Sequence, residues 1–335
     1  MRAAAPTFAI RQIEFFERPV ELRLPFRFGV VTLTQCPQAF VRVRIESESG
    51  QTAWGHAAEM MAPKWFDKNL ALSNEDNFEQ LRSVLRLARD AYLSDASAAS
   101  AFAHHARHHH AHQHTCEQRG YNALLAAFGP AQIDTALVDA LGPLTGQNFY
   151  QLTQHNHLGI DLFAGLTPDL AGFDMAAFLQ SRHPATHIAA RHTVGMVDPI
   201  TQADLSTSVA DGLPETLQQV ISHYGVDHFK IKISGDFAAD ADRLQRIAQV
   251  IQPQAKSCLI SLDGKEQFEE MAHFAQWLAQ LQHKPQLKAL VSRIAFIEQP
   301  VRRDHALQHD IGPLQLPWPV IIDESDYELN SFVQA

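Results

Sequence analysis

Four stretches of the sequence decide the fold: HFKIKIS (228–234), SCLISLD (257–263), RIAFIEQP (293–300) and PVIIDES (319–325). Apart from the lysines of the first stretch and the charged residues at the ends, these stretches are apolar on both faces, which is typical of strands in a parallel sheet covered on both sides. HIAARHTVGM (187–196) predicts a further strand before them, and helical spacing fills the intervals. Five such units in about 150 residues match the repeat length of an eight-stranded barrel. The sequence therefore predicts an α/β protein with a TIM-type (β/α) barrel.

Two features of this half qualify the prediction. A doubly wound sheet is the competing architecture, but no GxGxxG follows the first strand. The predicted barrel is also incomplete at the C-terminus, because only its first five strands precede Ala335 and five strands cannot close a barrel. We expect the sequence to be a fragment of a longer protein; the alternative is that the missing part comes from elsewhere.

The preceding half has a different pattern. Residues 7–16, 39–46 and 52–57 predict strands, because apolar and polar residues alternate or follow a turn. Asn74–Tyr92 and Ala131–Leu144 predict helices. Strands followed by helices, without strict alternation, indicate an α+β domain. We expect an α+β capping domain over residues 1–160 and the barrel domain over 161–335.

A histidine-rich segment, AFAHHARHHHAHQHTC (101–116), interrupts the capping domain, with seven histidines within residues 104–114. Several are four residues apart, so a helix would align them into a transition-metal patch. The alternative is a solvated low-complexity insertion with adventitious metal affinity, and we expect this second interpretation to hold. Nothing in the neighbouring sequence indicates a carboxylate that would orient the imidazoles.

Charged residues stand at the C-terminal ends of the predicted strands, where barrel enzymes place their active sites. Lys230 and Lys232 share one face of their strand, because residues two apart point the same way. Asp263, Glu298 and Asp323 end the next three strands. Successive positions from Lys232 onward are about 25 to 35 residues apart, or one strand–helix unit each.

Three carboxylates at one end of a barrel would repel one another, and a hard divalent cation such as Mg²⁺ removes that conflict. The cation could stabilise an enolate-like charge, and a lysine beside it would have a lowered pKa suited to proton abstraction. Each motif alone has an ordinary structural explanation, such as a helix N-cap for an aspartate that ends a strand. The order and spacing of all four positions favour a site.

Composition limits the partners. The net charge is −10, from 37 acidic and 27 basic residues, which argues against nucleic-acid or anionic-membrane binding. Three scattered cysteines suit a reducing compartment, and we find neither a signal peptide nor an 18-residue apolar window. We therefore expect a cytoplasmic protein, with a homo-oligomer left open.

The sequence resembles the enolase superfamily, in its mandelate racemase and muconate lactonizing enzyme branch. The matching stretches in the barrel half are FKIKISGD (229–236), LISLDGKEQF (259–268), AFIEQP (295–300) and PVIIDES (319–325). In the capping half they are PFRFGVVTL (25–33), GQTAWGHAAE (50–59) and AQIDTALVDALGPLTGQNFYQL (131–152). The resemblance thus covers nearly the whole chain.

The resemblance implies abstraction of a proton α to a carboxylate, giving an enediolate stabilised by Mg²⁺, with Mn²⁺ as an alternative. It implies that Asp263, Glu298 and Asp323 are the metal ligands. Lys232 would be the base, and Lys230 would modulate its pKa. Glu324 would neighbour the third ligand. The DES ending resembles the muconate-lactonizing and dipeptide-epimerase members.

The resemblance also concerns two segments of the capping domain, and the sequence departs from the family pattern at one position. Phe26–Leu33 and Trp54–Trp65 stand at the positions of the family's two substrate-covering loops, while the substrate-binding residues themselves are unknown. Lys265 stands where the family usually has an asparagine. Its ammonium would either compete with the metal for Asp263 or turn out to solvent.

Three hypotheses follow from the sequence. The leading one is a racemase, epimerase, cycloisomerase or dehydratase, an isomerase or lyase acting on a small carboxylate substrate. The second is a non-catalytic relative that binds a metal or small acid without turnover. The third is a metal-binding or interaction protein in which the histidine segment carries the function and the barrel is scaffold.

Overall fold

The computed structural model describes residues 4–28, 31–161, 172–253, 258–308, 310–327 and 331–334. Its contacts divide the chain into two compact units. Unit 1 comprises Met1–Glu21 and Gln35–Ala185, and unit 2 comprises Leu22–Thr34 and Thr186–Ala335. The expected boundary at 160/161 adjoins a stretch outside the described residues, and the contacts place the division at 185/186.

A three-stranded sheet in the order β1-β2-β3 forms the first layer of the N-terminal part. The strands are β1 (Phe8–Phe28), β2 (Val31–Ser47) and β3 (Thr52–Met60), and β2 pairs antiparallel with β3. In β2, the buried Val41, Val43 and Ile45 alternate with arginines, because successive side chains point to opposite faces of a sheet. The predicted strands are present, and β1 and β2 are longer than predicted.

Unit 1 also contains the helices α1 (Asn74–Ser94), α2 (Ala101–Glu117), α3 (Ala123–Thr145), α4 (Phe149–Gln154) and α5 (Met175–Gln180). Of these, α3 packs against β3, and α1 and α2 pack against α3. A capping box at Ser73 begins α1, and Gly146 ends α3 in the left-handed conformation. The sheet and α3 approach closely at Gly55, where a Cβ atom would lie 2.0 Å from the Ala136 carbonyl oxygen.

Helix α3 is long and apolar enough, by length and composition alone, to cross a membrane. The helix is not apolar throughout, because Asp134 and Asp139 interrupt it, as expected from the sequence. It packs against β3, α1 and α2, and its apolar residues form part of the core of unit 1. Ile133, Leu137 and Leu141 are fully buried there.

The histidine segment forms α2, and the expectation of a solvated insertion is wrong. His104 and His112 are buried, and each Nε2 lies 2.8 Å from a backbone carbonyl oxygen, of Phe8 and Ala126 respectively. Burial lowers the pKa of both imidazoles, so they are neutral and donate one hydrogen bond each. These histidines are core residues because the helix face that carries them packs into unit 1.

A parallel sheet in the order β4-β5-β6-β7-β8 forms unit 2. Its strands are β4 (Arg191–Val194), β5 (His228–Lys232), β6 (Leu259–Asp263), β7 (Ile294–Glu298) and β8 (Val320–Ile321). The helices are α6 (Leu217–Tyr224), α7 (Phe237–Ile251), α8 (Met271–Gln282), α9 (Lys288–Val291) and α10 (Ser331–Gln334). Strand–helix alternation is as predicted.

Two elements of unit 2 differ from the prediction. The interval between β7 and β8, where the sequence predicts a helix, contains a 3₁₀ turn over Ala306–Gln308, and His309 lies outside the described residues. The strand expected over PVIIDES is limited to Val320–Ile321. The reason is that the backbone turns away beyond Ile321, where the Asp323 amide donates to the Gln299 side chain instead of to a neighbouring strand.

We expect His104→Ala to lower the free energy of unfolding by about 2–4 kcal/mol, because it leaves a cavity and an unpaired Phe8 carbonyl. The control is His110→Ala, on the exposed side of the same helix, which we expect to change it by less than about 0.5 kcal/mol. Urea unfolding measures both. Equal effects would contradict the assignment of His104 to the core.

Candidate active site

Three of the predicted site residues lie side by side at the carboxyl edge of the parallel sheet. Lys232 of β5 is the register partner of Asp263 of β6, and Asp263 is the partner of Glu298 of β7. All three are at least 95% buried. Because the strands are parallel and in register, three strand ends far apart in sequence form one row of charged side chains.

Lys230 lies one step back on the same face of β5 and links the two carboxylates. Its Nζ donates a hydrogen bond to Glu298 Oε1 and lies 3.2 Å from Asp263 Oδ2. Burial alone would lower the Lys230 pKa, but the charges of Asp263 and Glu298 outweigh it and the pKa is raised. Lys230 is therefore a fixed cation between two anions.

Lys232 has the opposite electrostatic situation. Burial, followed by the charge of Lys265, lowers the pKa of Lys232 to about 8. Its Nζ lies 4.4 Å from the ring centroid of Phe26, a contact that shields the ammonium from water on that side. The sequence assigned the modulation of this pKa to Lys230, but the charge of Lys265 has the larger effect on it.

Lys265 takes neither of the two positions expected for it. Its ammonium pairs with Glu324 Oε1, and both side chains are buried. The backbone N–H of Lys265, and not its ammonium, donates to Asp263 Oδ1 at 2.8 Å. The physical reason is that a buried carboxylate in the turn after β8 lies within reach, so the ammonium need not leave the protein to find a partner.

The loops after β6 and β7 are held in strained conformations. Lys265, Glu266 and Gln299 have positive φ angles of 44°, 63° and 36°, which cost non-glycine residues about 1–3 kcal/mol each. A hydrogen bond from Glu266 N to Gln299 O, 2.9 Å long, joins the two loops. Arg303 binds both carboxylate oxygens of Glu266 at 2.8 Å. Backbone strain of this kind is typical of functional sites.

Gln299 is a site residue that the sequence analysis missed. Its side chain is buried; Oε1 accepts from the backbone amides of Asp323 and Ser325, and Nε2 donates to Val301 O and Ser325 Oγ. It thereby fixes the turn after β8 against the loop after β7. The available signal was a polar residue between the Glu298 that ends a buried strand and a proline.

Asp323 follows β8 and is not a register partner of Lys232, Asp263 and Glu298. Burial, and then the charge of Glu324, raises the pKa of Asp323 to about 6. Within the described ranges, no three or more histidine, cysteine, aspartate or glutamate side chains are grouped so that they could hold a metal ion. The structure thus brings Asp263 and Glu298 together on one cation, and the ligand role of Asp323 stays a prediction.

The residues fit a divalent cation in their chemistry. Asp263 Oδ2 is buried and accepts no hydrogen bond, although the Lys230 ammonium is 3.2 Å away. Oxygen donors of carboxylates are the ligands that Mg²⁺ takes in proteins. The position between Asp263 and Glu298 already holds one positive charge, that of Lys230, and is therefore suited to a cation.

The two segments predicted to cover a substrate differ from loops. Phe26 belongs to β1, Leu33 belongs to β2, and this segment lies within unit 2, where Phe26 contacts Lys232. Residues Trp54–Met60 are part of β3, so only the end of the second segment, Met61–Trp65, is outside a strand. The strand predicted over residues 52–57 accounts for much of the pairing of this segment with β2, and the role of Trp54–Trp65 in covering a substrate stays a prediction.

Comparison with known proteins identifies the fold. No protein-family model and no curated protein matches the chain. An enolase from Bradyrhizobium, complexed with magnesium and mandelic acid, is similar with a TM-score of 0.61 and 18% identity, over 98% of this chain and 72% of that one. The chain has the fold of the enolase superfamily.

Further solved structures share this fold. A mandelate racemase/muconate lactonizing protein from Herpetosiphon aurantiacus has a TM-score of 0.57 and 15% identity, over 97% of this chain and 70% of that one. A dipeptide epimerase from Enterococcus faecalis V583, complexed with Mg and L-Leu-L-Tyr, has a TM-score of 0.54 and 17% identity, over 95% and 68%. The predicted class, a barrel-type α/β fold preceded by an α+β cap, is confirmed.

We expect Gln299→Met to lower the free energy of unfolding by about 1–3 kcal/mol, because it leaves the buried amides of Asp323 and Ser325 without acceptors. Hydrogen exchange of the Asp323 amide should become faster. The matched control is Gln267→Met, in the neighbouring loop, where only a 3.2 Å bond to Lys265 O is lost. Unchanged exchange at Asp323 in the Gln299 variant would refute the positioning role.

Proposed function

We propose that this protein abstracts the proton α to the carboxylate of a small acid, as a racemase, epimerase, cycloisomerase or dehydratase does. The observation that carries the proposal is the row of Lys232, Asp263 and Glu298 on three adjacent strand ends. A base and two metal-ligand candidates in one row can act on the same substrate atom and its neighbouring carboxylate. This combination is what proton abstraction next to a carboxylate requires.

Lys232 is the proposed base. It is buried, and its lowered pKa of about 8 leaves a useful fraction of neutral amine near physiological pH. Phe26 holds an apolar surface against the Nζ atom, which limits competing protonation by water. Lys232 would take the proton at Nζ, while the charge of the nearby Lys265 disfavours its protonated form.

Asp263, Glu298 and Asp323 are the proposed ligands of Mg²⁺, with Mn²⁺ as an alternative. When bound, the metal would supply positive charge for the carboxylate oxygens of an enediolate. Lys230 already compensates Asp263 and Glu298, so the metal and the ammonium would compete for these two carboxylates. Glu324 is engaged with Lys265 and would remain outside the ligand set.

Structural neighbours support the reaction type. Proteins that share the fold include the dipeptide epimerase described above, an N-succinyl Arg/Lys racemase from Bacillus cereus and a muconate lactonizing enzyme from Pseudomonas fluorescens. Solved neighbours carry Mg with mandelic acid or with a dipeptide. Small acids and dipeptides are therefore the first substrates to test.

One observation favours the second candidate function, a protein that binds a small acid without turnover. The Lys230 ammonium bridges Asp263 and Glu298, and the described residues contain no group of three donors for a metal. A cation built into the chain could bind a substrate anion without any metal. Metal dependence and proton exchange separate the two candidates.

The test is exchange of the α-proton in D₂O, followed by NMR with mandelate and dipeptides as substrates and with Mg²⁺ added. We expect exchange in the wild-type protein, and a loss of about 10²–10⁴-fold in Lys232→Met, the range that a positioned base contributes. The matched control is Lys288→Met, an exposed lysine of α9, which should exchange at the wild-type rate.

The same assay distinguishes the roles. Exchange at the wild-type rate in Lys232→Met would show that another group is the base. Asp263→Asn should lose both exchange and calorimetric Mg²⁺ binding. A wild-type protein that binds the acids but exchanges no proton, with or without Mg²⁺, would support the binding protein and refute the enzyme.

A further inference from the structure

Helix α2 presents one pair of histidines in an arrangement that the core does not explain. His105 and His109 are four residues apart on the helix, and their ring centroids are 5.0 Å apart. Both rings are half-buried, so they are within reach of solvent. Residues four apart lie on one face of a helix, which lets two imidazoles approach a common ion.

A carboxylate orients the first of these rings. His105 Nδ1 lies 2.6 Å from Asp134 Oδ2 of α3, and the Tyr92 hydroxyl of α1 donates to the other oxygen, Asp134 Oδ1, at 2.8 Å. Asp134 thus connects α1, α2 and α3. The expectation that no carboxylate orients the histidines is wrong, because folding brings Asp134 to a segment 29 residues earlier in the chain.

This hydrogen bond decides the tautomer of His105. The carboxylate can only accept, so Nδ1 must carry the proton, and in the neutral ring the lone pair is on Nε2. The carboxylate also raises the pKa of His105, as expected for an imidazole with an anionic partner. An imidazole that donates one N–H to a carboxylate and presents its other nitrogen is the usual form of a metal-ligating histidine.

His109 completes the pair. Its imidazole contacts the rings of His105 and His110 and has no hydrogen-bond partner among the residues that the structure describes. Burial, followed by the charge of His105, lowers its pKa, so His109 is neutral at physiological pH and can ligate. The other buried histidines of the helix, His104 and His112, each use Nε2 on a backbone carbonyl.

We propose that His105 and His109 bind a borderline divalent transition metal ion such as Zn²⁺ or Cu²⁺, with Asp134 as the positioning residue. Imidazole nitrogen selects these ions over Mg²⁺, which prefers oxygen. The described residues contain no group of three or more ligating side chains. The site therefore has two protein ligands, and water fills the remaining positions.

The same helix offers a matched control pair. His110 and His114 are also four residues apart and are exposed. His114 Nε2 accepts from the Gln118 side chain at 2.9 Å, and the nearest carboxylate oxygen, Glu117 Oε2, is 3.6 Å from its Nδ1. If any two histidines four residues apart on a helix were sufficient, both pairs would bind the metal ion. If orientation by a carboxylate is required, only the pair His105 and His109 binds it tightly.

The experiment uses the whole chain in excess Mg²⁺, which occupies oxygen sites elsewhere. Zn²⁺ affinity is measured by calorimetry, and Cu²⁺ is examined by electron paramagnetic resonance, where nitrogen couplings report the imidazole ligands. We expect one tight equivalent with two nitrogen ligands in the wild-type protein. His105→Ala and His109→Ala should each abolish it, and His110→Ala/His114→Ala should leave it unchanged.

Asp134→Asn tests the positioning role and should weaken Zn²⁺ binding by about 10–100-fold, the usual effect of losing such a partner. Tyr92→Phe keeps the bond between His105 and Asp134 and should leave the affinity within a factor of about three. Circular dichroism checks that each variant is folded. Equal losses in the two histidine pairs, or full affinity in Asp134→Asn, would overturn the proposal.

Discussion

The buried charges at the carboxyl edge of the parallel sheet constrain the rest of unit 2. A charge removed from water costs several kcal/mol unless a partner compensates it. Lys230 compensates Asp263 and Glu298, and Lys265 compensates Glu324. These pairs require strands β5 to β7 to stay in register, because a slip of one residue would turn every one of these side chains to the opposite face.

Lys232 is the lysine of this site whose ammonium has no carboxylate partner of its own among the pairs just described, and its pKa reflects this. Its neighbours' charges are engaged with one another, and its own ammonium lies in a buried environment against Phe26. The result is a lysine whose pKa is lowered to about 8 beside a lysine, Lys230, whose pKa is raised. Two lysines two residues apart thus differ in role: one is a fixed cation and the other is suited to move a proton. Such divergence between neighbouring titratable groups is typical of acid–base sites.

In unit 1 the buried polar groups include two histidines of α2, which form hydrogen bonds within the core. The segment with seven histidines is not uniform. Two of its imidazoles bind backbone carbonyls in the core, one is oriented by Asp134, two more are half-buried, and the remaining two are exposed. Composition treats these residues as equivalent, whereas the helix period and the packing of α2 against α3 separate them into distinct environments.

The sequence by itself determined the fold class, the order of strands and the strand-end positions of Lys232, Asp263 and Glu298, because these follow from hydrophobic periodicity and from the geometry of parallel strands. Only the tertiary structure decided which charges pair. Lys265 with Glu324, Gln299 with the Asp323 turn and His105 with Asp134 each join residues far apart in the chain. Their distances depend on packing between elements, which local sequence patterns do not encode, and the same packing turned an expected insertion into a core helix.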